Sequence, residues 1–214
     1  MSQLLALPLA LLALVQQPSE SSIQPLPAKV RANLVDGGHW KPGCPVPLRD
    51  LRLLTVRHWG FDGRSHDGQL IVNKNVAAPL ARVFRRLYAL RFPIRYMRVD
   101  IYEPGNAVLA HNDVSASFEC REAVPSPCVG GTGSGSWSNH AYGRAVDLNP
   151  RENPYVGCGK VRDGRRSPYI DRSPLRKGMV TPAIVRAFRS IGWGWGGSWT
   201  GNTKDYMHFS SSGH

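Results

Sequence analysis

Apolar and polar positions along the chain fall into a few patterned stretches separated by long polar ones. Leu51 to Trp59 alternates and is rich in β-formers, which predicts a strand. Phe61 to Gly68 carries two Asp/Gly turn signals, and Gln69 to Val72 returns as a short strand, so the two runs predict a hairpin. From Asn75 to Arg91 the period changes to that of a helix. Val76, Leu80, Val83, Phe84, Leu87 and Leu90 share one face, Arg82, Arg85 and Arg86 fall outside it, and Asn75 is placed to cap the start. Met97, Val99 and Ile101 alternate as a further strand, and Arg144 to Leu148 reads as another. Thr181-Pro182 opens a second helix as cap and first-turn proline, with Ile184, Val185, Phe188 and Ile191 on its apolar face. A Gly/Trp turn at Gly192 to Trp199 leads to a last strand over Asp205 to Ser210. The sum predicts an α+β fold with a small antiparallel sheet, flanking helices and long loops.

The N-terminal part departs from this pattern. Leu4 to Val15 is an apolar run too short to span a bilayer and of the length of a signal-peptide core. Residues 1–18 are therefore expected to be an export signal, leaving no transmembrane span in the mature chain. Residues 19–38 are rich in Pro, Ser and Gln without a sustained period and read as a linker, with one folded domain over 39–214. Four cysteines beside an export signal fit disulfides. Cys120 and Cys128 close a short Pro-containing loop and form the expected local pair, which leaves Cys44 with Cys158. There is no C-x-x-C pair to hold a Cys-only zinc site.

The formal net charge is +12. Such a surface attracts polyanions, whether nucleic acid, anionic lipid or an acidic cell-wall polymer, and it also serves plain solubility. Zinc-finger spacing, a basic heptad region and an RNP-like aromatic motif are all missing, which argues against specific nucleic-acid recognition.

Two short stretches carry candidate chemistry. SNHAYGRAVDLN, Ser138 to Asn149, sets His140 and Asp147 seven residues apart with Gly143 between them. KDYMHFS places His208 three residues after Asp205. A metallopeptidase needs three N/O ligands, an open position and a further carboxylate to move a proton. His140, Asp147 and His208 supply the first set and Asp205 the last. In a regular strand Asp205 and His208 would point to opposite faces, so Asp205 must lean in from the strand's entry. Asp147 lies between Val146 and Leu148, where a carboxylate needs a cation or several donors. His66 and His111 read as structural or exposed.

The combination of S-x-H-x-x-G-x-A-x-D (Ser138, His140, Gly143, Ala145, Asp147) with D-x-x-H-F (Asp205, His208, Phe209) resembles the zinc D-alanyl-D-alanine carboxypeptidase family, which includes VanY-like carboxypeptidases and L-alanyl-D-glutamate endopeptidases. The resemblance runs over most of residues 40–210. GCPVPLRDLRLLTVRHWGFDGRSHDG and GWGWGGSW are similar to segments of its exported actinobacterial-type branch. It implies a hedgehog/D-Ala-D-Ala-peptidase-like fold and a zinc ion held by His140, Asp147 and His208. It further implies that Asp205 is the general base, that Arg121 stabilises the oxyanion or orients the substrate carbonyl, and that Ser138 and Trp195 lie beside the substrate. The implied partner is the peptidoglycan stem peptide, with anionic wall polymers as a second, charge-driven partner. The implied activity is D-alanyl-D-alanine carboxypeptidase. L-alanyl-D-glutamate endopeptidase, a catalytically inactive zinc-containing wall-binding module and a basic nucleic-acid binder stand as alternatives.

Overall fold

A computed structural model describes residues 21–106 and 113–214. The expected export signal and His111 lie outside the described residues. The predicted hairpin forms the frame. β1 (Ser22–Pro25) and α1 (Ala28–Asp36) precede it, and β2 (Leu51–Trp59) and β3 (Ser65–Asn73) pair antiparallel over their full length, from Leu51 opposite Asn73 to Trp59 opposite Ser65. The return strand starts earlier than the sequence predicts, because the turn signals compress into Gly60–Arg64. β1 and α1 correct the reading of residues 19–38 as a linker. β2 offers a free edge, and the exposed residues Ser22–Pro25 pair with it, while Leu34 of α1 inserts fully into a core beside Leu51, Leu53 and Ile71.

α2 (Lys74–Ala89) follows β3 without a linker. Its cap is Asn73, whose side chain accepts from Asn75 N at 3.0 Å, so the cap sits two residues before the predicted one because the strand runs directly into the helix. Leu80, Val83, Phe84 and Leu87 are buried as the periodicity predicts. Leu90 instead lies past the end of the helix and is 40% exposed. The stretch Met97 to Ile101 is buried at alternate positions but forms no strand, because the backbone turns into a 3₁₀ helix over Asp100–Tyr102.

The rest of the chain adds two small antiparallel sheets, where the sequence predicts one. β4 (Ala145–Asp147), β7 (Gly194–Trp195) and β9 (His208–Ser210) form one, with β9 central. β5 (Tyr155–Gly157), β6 (Lys160–Val161) and β8 (Thr203–Asp205) form the other, with β5 central. The predicted last strand is thus two strands in two sheets. α3 (Pro182–Arg189) begins at the predicted proline, although Thr181 makes no side-chain cap bond. Its Ile184, Val185 and Phe188 join α2, the hairpin, Val146 and Phe209 in the main core, and the rings of Phe188 and Phe209 stack 3.9 Å apart. The architecture is α+β.

Both disulfides differ from the expected pairing. Cys44 bonds Cys120, and Cys128 bonds Cys158. Cys120 is buried in the core against Cys44, whereas Cys128 sits on a loop that crosses to the β5–β6 turn. Proximity in sequence therefore misleads here, because the loop between Cys120 and Cys128 runs outward instead of closing on itself.

Candidate metal centre

Each ligand candidate is placed by a local device. Ser138 Oγ accepts from His140 N at 3.3 Å and so caps a 3₁₀ turn over Asn139–Tyr142 that carries His140. Gly143 ends this turn at φ +63°, and its carbonyl accepts from Asn73 N at 2.8 Å. A Cβ there would lie 2.7 Å from Asn73 N, so the position needs glycine both for its backbone angle and for the close approach. The turn is thereby docked on the junction of β3 and α2. Asp147 ends β4 directly opposite His208, which opens β9.

The three side chains converge. His140 Nε2 lies 3.2 Å from Asp147 Oδ2 and 3.2 Å from His208 Nδ1, and His208 Nδ1 lies 3.1 Å from Asp147 Oδ1. The outer ring nitrogens both face carbonyl oxygens, an arrangement suited to rings whose inner nitrogens bind a cation. His140 Nδ1 donates to the Ser117 carbonyl, and His208 Nε2 donates to the His214 carbonyl at 3.4 Å. A carbonyl only accepts, so the inner nitrogens of both neutral rings present lone pairs. Two imidazole lone pairs and a carboxylate then face one another with no proton between them. A divalent cation satisfies all three at once, and the donor set fits one. When a proton instead of a cation sits on the inner nitrogens, burial still raises the carboxyl of Asp147, but the charge and hydrogen bond of His140, joined by His208, outweigh it and hold the group well below the usual carboxylate range.

Asp205 reaches the same cavity from the other sheet. It ends β8 opposite Tyr155, and the chain breaks at Tyr206–Met207 before β9 begins. This break removes the alternation that would have sent Asp205 and His208 to opposite faces. Asp205 Oδ1 is buried with no hydrogen-bond partner among the described residues. Burial, reinforced by the charge of Asp147 and opposed by His208 and Arg121, pushes its carboxyl up to about 7. An orphaned oxygen on a carboxyl of that affinity suits a group that takes and returns a proton. Gly196 packs against the backbone of Asp205, since a Cβ there would lie 2.5 Å from Asp205 O.

The cavity holds about 710 Å³ and brings together Ser138, His140, Asp147, Asp205, His208 and Arg121. Arg121 is fixed through its backbone, whose carbonyl accepts from Ser138 N at 3.1 Å, and it follows the Cys44–Cys120 disulfide directly. Trp195 is not among the lining residues. It lies behind them, donating to Tyr206 O at 2.9 Å and stacking on Phe209, where it supports the break between Asp205 and His208. Trp199 lines the cavity instead, its ring 6.1 Å from that of His208. Tyr155, Arg151 and Arg166 also line it, and no sequence motif marks them. The alternate placement of tryptophans in GWGWGGSW was the one available signal for Trp199, but it does not say which ring faces the cleft.

Residues 132–211 match the family model described as D-alanyl-D-alanine carboxypeptidase. No curated protein and no solved structure gives a significant match to the chain. The matched stretch contains all three converging ligands, the buried Asp205 and the Ser138 cap, so the geometry and the match describe the same residues. Over residues 132–211 the chain is therefore similar to the D-alanyl-D-alanine carboxypeptidase family in sequence.

Proposed function

We propose that the protein is an exported zinc peptidase that hydrolyses a D-amino-acid-containing amide bond of peptidoglycan stem peptides, with D-alanyl-D-alanine carboxypeptidase as its first activity. The observation that carries this reading is the convergence of His140 Nε2, Asp147 and His208 Nδ1 beside a buried carboxyl with an unpartnered oxygen. In this reading the fold is of the hedgehog/D-Ala-D-Ala-peptidase type. The two disulfides are compatible with export, and no helix among the described residues is long and apolar enough to cross a membrane.

Zinc bound by the two imidazoles and Asp147 would supply Lewis acidity toward the scissile carbonyl and toward water. The chain's own groups do the rest. Asp205 takes a proton from the attacking water at Oδ1 and returns it to the leaving amine, so the carboxyl ends the cycle as it began. Arg121, in the same cavity, opposes the negative charge that builds on the carbonyl oxygen. Ser138 holds the His140 turn from within, and Trp195 and Gly196 hold Asp205 from behind. The net positive charge gives the protein a salt-sensitive hold on an anionic wall.

Mass spectrometry of muropeptides incubated with the protein, with and without chelator, tests this. Chelator-sensitive loss of a terminal D-alanine is the expected outcome. A chelator-sensitive cut after L-alanine would assign the endopeptidase activity instead. Binding of muropeptides without any cut would mark a wall-binding module and overturn the enzymatic reading.

A further inference from the structure

The residues that line the cavity extend well beyond the metal centre and include arginines that play no part in it. Arg151 and Arg166 both line it, both are exposed at its rim, and neither makes a salt bridge or side-chain hydrogen bond among the described residues. The acidic groups of the same cavity are committed elsewhere. Asp113 accepts from Arg95 Nε at 2.9 Å and from Arg151 N at 2.8 Å, and Asp163 pairs with Arg165 at 2.8 Å. Asp147 and Asp205 belong to the metal end. The rim therefore carries two guanidinium groups with no carboxylate of the chain to face them.

The wall that carries them is fixed. The Cys128–Cys158 disulfide ties the loop before Trp137 to the β5–β6 turn. Arg162 hydrogen-bonds across the same gap to the carbonyls of Pro125 and Gly131. The backbone of Arg151 is held by Asp113, which pairs with Arg95, and Arg95 in turn pairs with the buried Glu152. Unpaired guanidinium groups on fixed walls of one cleft focus a positive potential on whatever lies between them. They also present the fork geometry that suits a carboxylate.

We infer that Arg151 and Arg166 form a subsite for a second carboxylate of the substrate, one carried on a residue upstream of the scissile bond and distinct from the group that faces the metal. The inference rests on the peptidase reading and narrows it. The preferred substrate is an acidic peptide, and a peptide with that carboxylate masked as an amide is a poor one.

Two synthetic peptides with the same scissile D-amino-acid bond test it, one carrying an upstream side-chain carboxylate and the other its carboxamide. With the full zinc-loaded chain the ratio of kcat/KM, acid over amide, is expected to be about tenfold, the order that two partly exposed guanidinium groups in a cleft can supply. The ratio should fall toward one in Arg151→Ala/Arg166→Ala and fall below one in Arg151→Glu/Arg166→Glu. A wild-type ratio near one, or a ratio that the double variants leave unchanged, overturns the subsite. A parallel measurement of peptide binding to Asp205→Ala separates the two readings. If the wild-type chain cuts neither peptide, yet the acidic one binds more tightly to Asp205→Ala and loses that advantage when Arg151→Ala/Arg166→Ala is added, the subsite stands and the peptidase reading fails. If both peptides bind equally, the subsite fails.

Discussion

The hairpin with α2 and the region after residue 113 hold their side chains in place by different means. In the first, nine-residue strands pair along their whole length, and a sixteen-residue helix lays one apolar face across them. Burial of Leu54, Leu70, Leu80, Phe84 and Leu87 does most of the work, at roughly 1.5–3 kcal/mol for each side chain. In the second, every strand has two or three residues, and the backbone is held by the side chains of Asn149, Asn153, Ser115 and Ser117, by Arg172, and by the Cys128–Cys158 bond. Long regular elements make a frame that tolerates strain at its border. Short strands let the chain change sheet within two residues, which is how Asp205 and His208 come to share a cavity. Regularity there would have separated them.

This contrast can be broken by showing that variants in the two regions fail in the same way. His140→Ala removes one of the three proposed ligands and is expected to lower metal affinity by more than about 100-fold, beyond the usual cost of losing an outer-shell partner. Asp205→Ala should keep the metal and lose about 10²–10⁴-fold in hydrolysis, the usual range for a general acid–base. Metal content after dialysis and kcat on muropeptides separate the two. An Asp205→Ala protein with full activity would remove the proposed proton transfer. Phe84→Ala, in the frame, should cost about 3–5 kcal/mol in urea unfolding with metal affinity unchanged in the folded protein. If Phe84→Ala also weakened the metal, the frame and the site would not be separable.

The frame was legible in the sequence because its regularity is local. Period 2 and period 3.6 can be counted along Leu51 to Val72 and Asn75 to Leu87 without knowing what they face. The ligands were legible for another reason: His140, Asp147, Asp205 and His208 are chemically conspicuous and fit a known pattern. What joins them was not. The split of the last predicted strand depends on Tyr155 and Asp147 offering separate partners to Asp205 and His208. β1 forms only because β2 has an open edge, and Cys120 finds Cys44 only because both lie beneath α1 and the hairpin. Trp195 and Trp199 differ in role because of the path of β7, which no local pattern announces. Such features are set by partners distant in the chain.

Gly143 stands on the border between the two regions and sharpens the comparison. Gly143→Ala places a methyl 2.7 Å from Asn73 N, at the point where the frame receives the His140 turn. The left-handed backbone and this contact together are expected to cost about 1–3 kcal/mol. Because the turn can move away from the frame more easily than the frame can open, metal affinity should fall along with stability. A variant that loses stability alone would show that the His140 turn is held by its own cap at Ser138 and not by the hairpin.

The smallest effect concerns a charge cluster that gives the site region some of the frame's rigidity. Arg95 donates to Asp113 at 2.9 Å and to Glu152 Oε1 at 2.7 Å, while Glu152 Oε2 is buried with no partner. Burial, then the neighbouring carboxyl of Asp113, push Glu152 up to about 7 against the pull of Arg95. Its ordinary value is 4.5. Between those two pH values the folded protein holds a proton that the unfolded chain has released, so the stability this group confers is full below pH 4.5 and is lost as pH rises toward 7. Glu152→Gln keeps an acceptor for Arg95 and cannot ionise. Unfolding of the metal-free proteins should therefore give equal stabilities near pH 4, whereas near pH 8 the variant should be the more stable by on the order of 1–2 kcal/mol. The candidate metal ligands are the same in both proteins, so the difference reports Glu152. Parallel curves would mean that folding leaves Glu152 at its ordinary value, and a wild type that gains on the variant as pH rises from 4 would make the support beneath Arg151 a simple ion pair with Arg95 that acid weakens instead of strengthening.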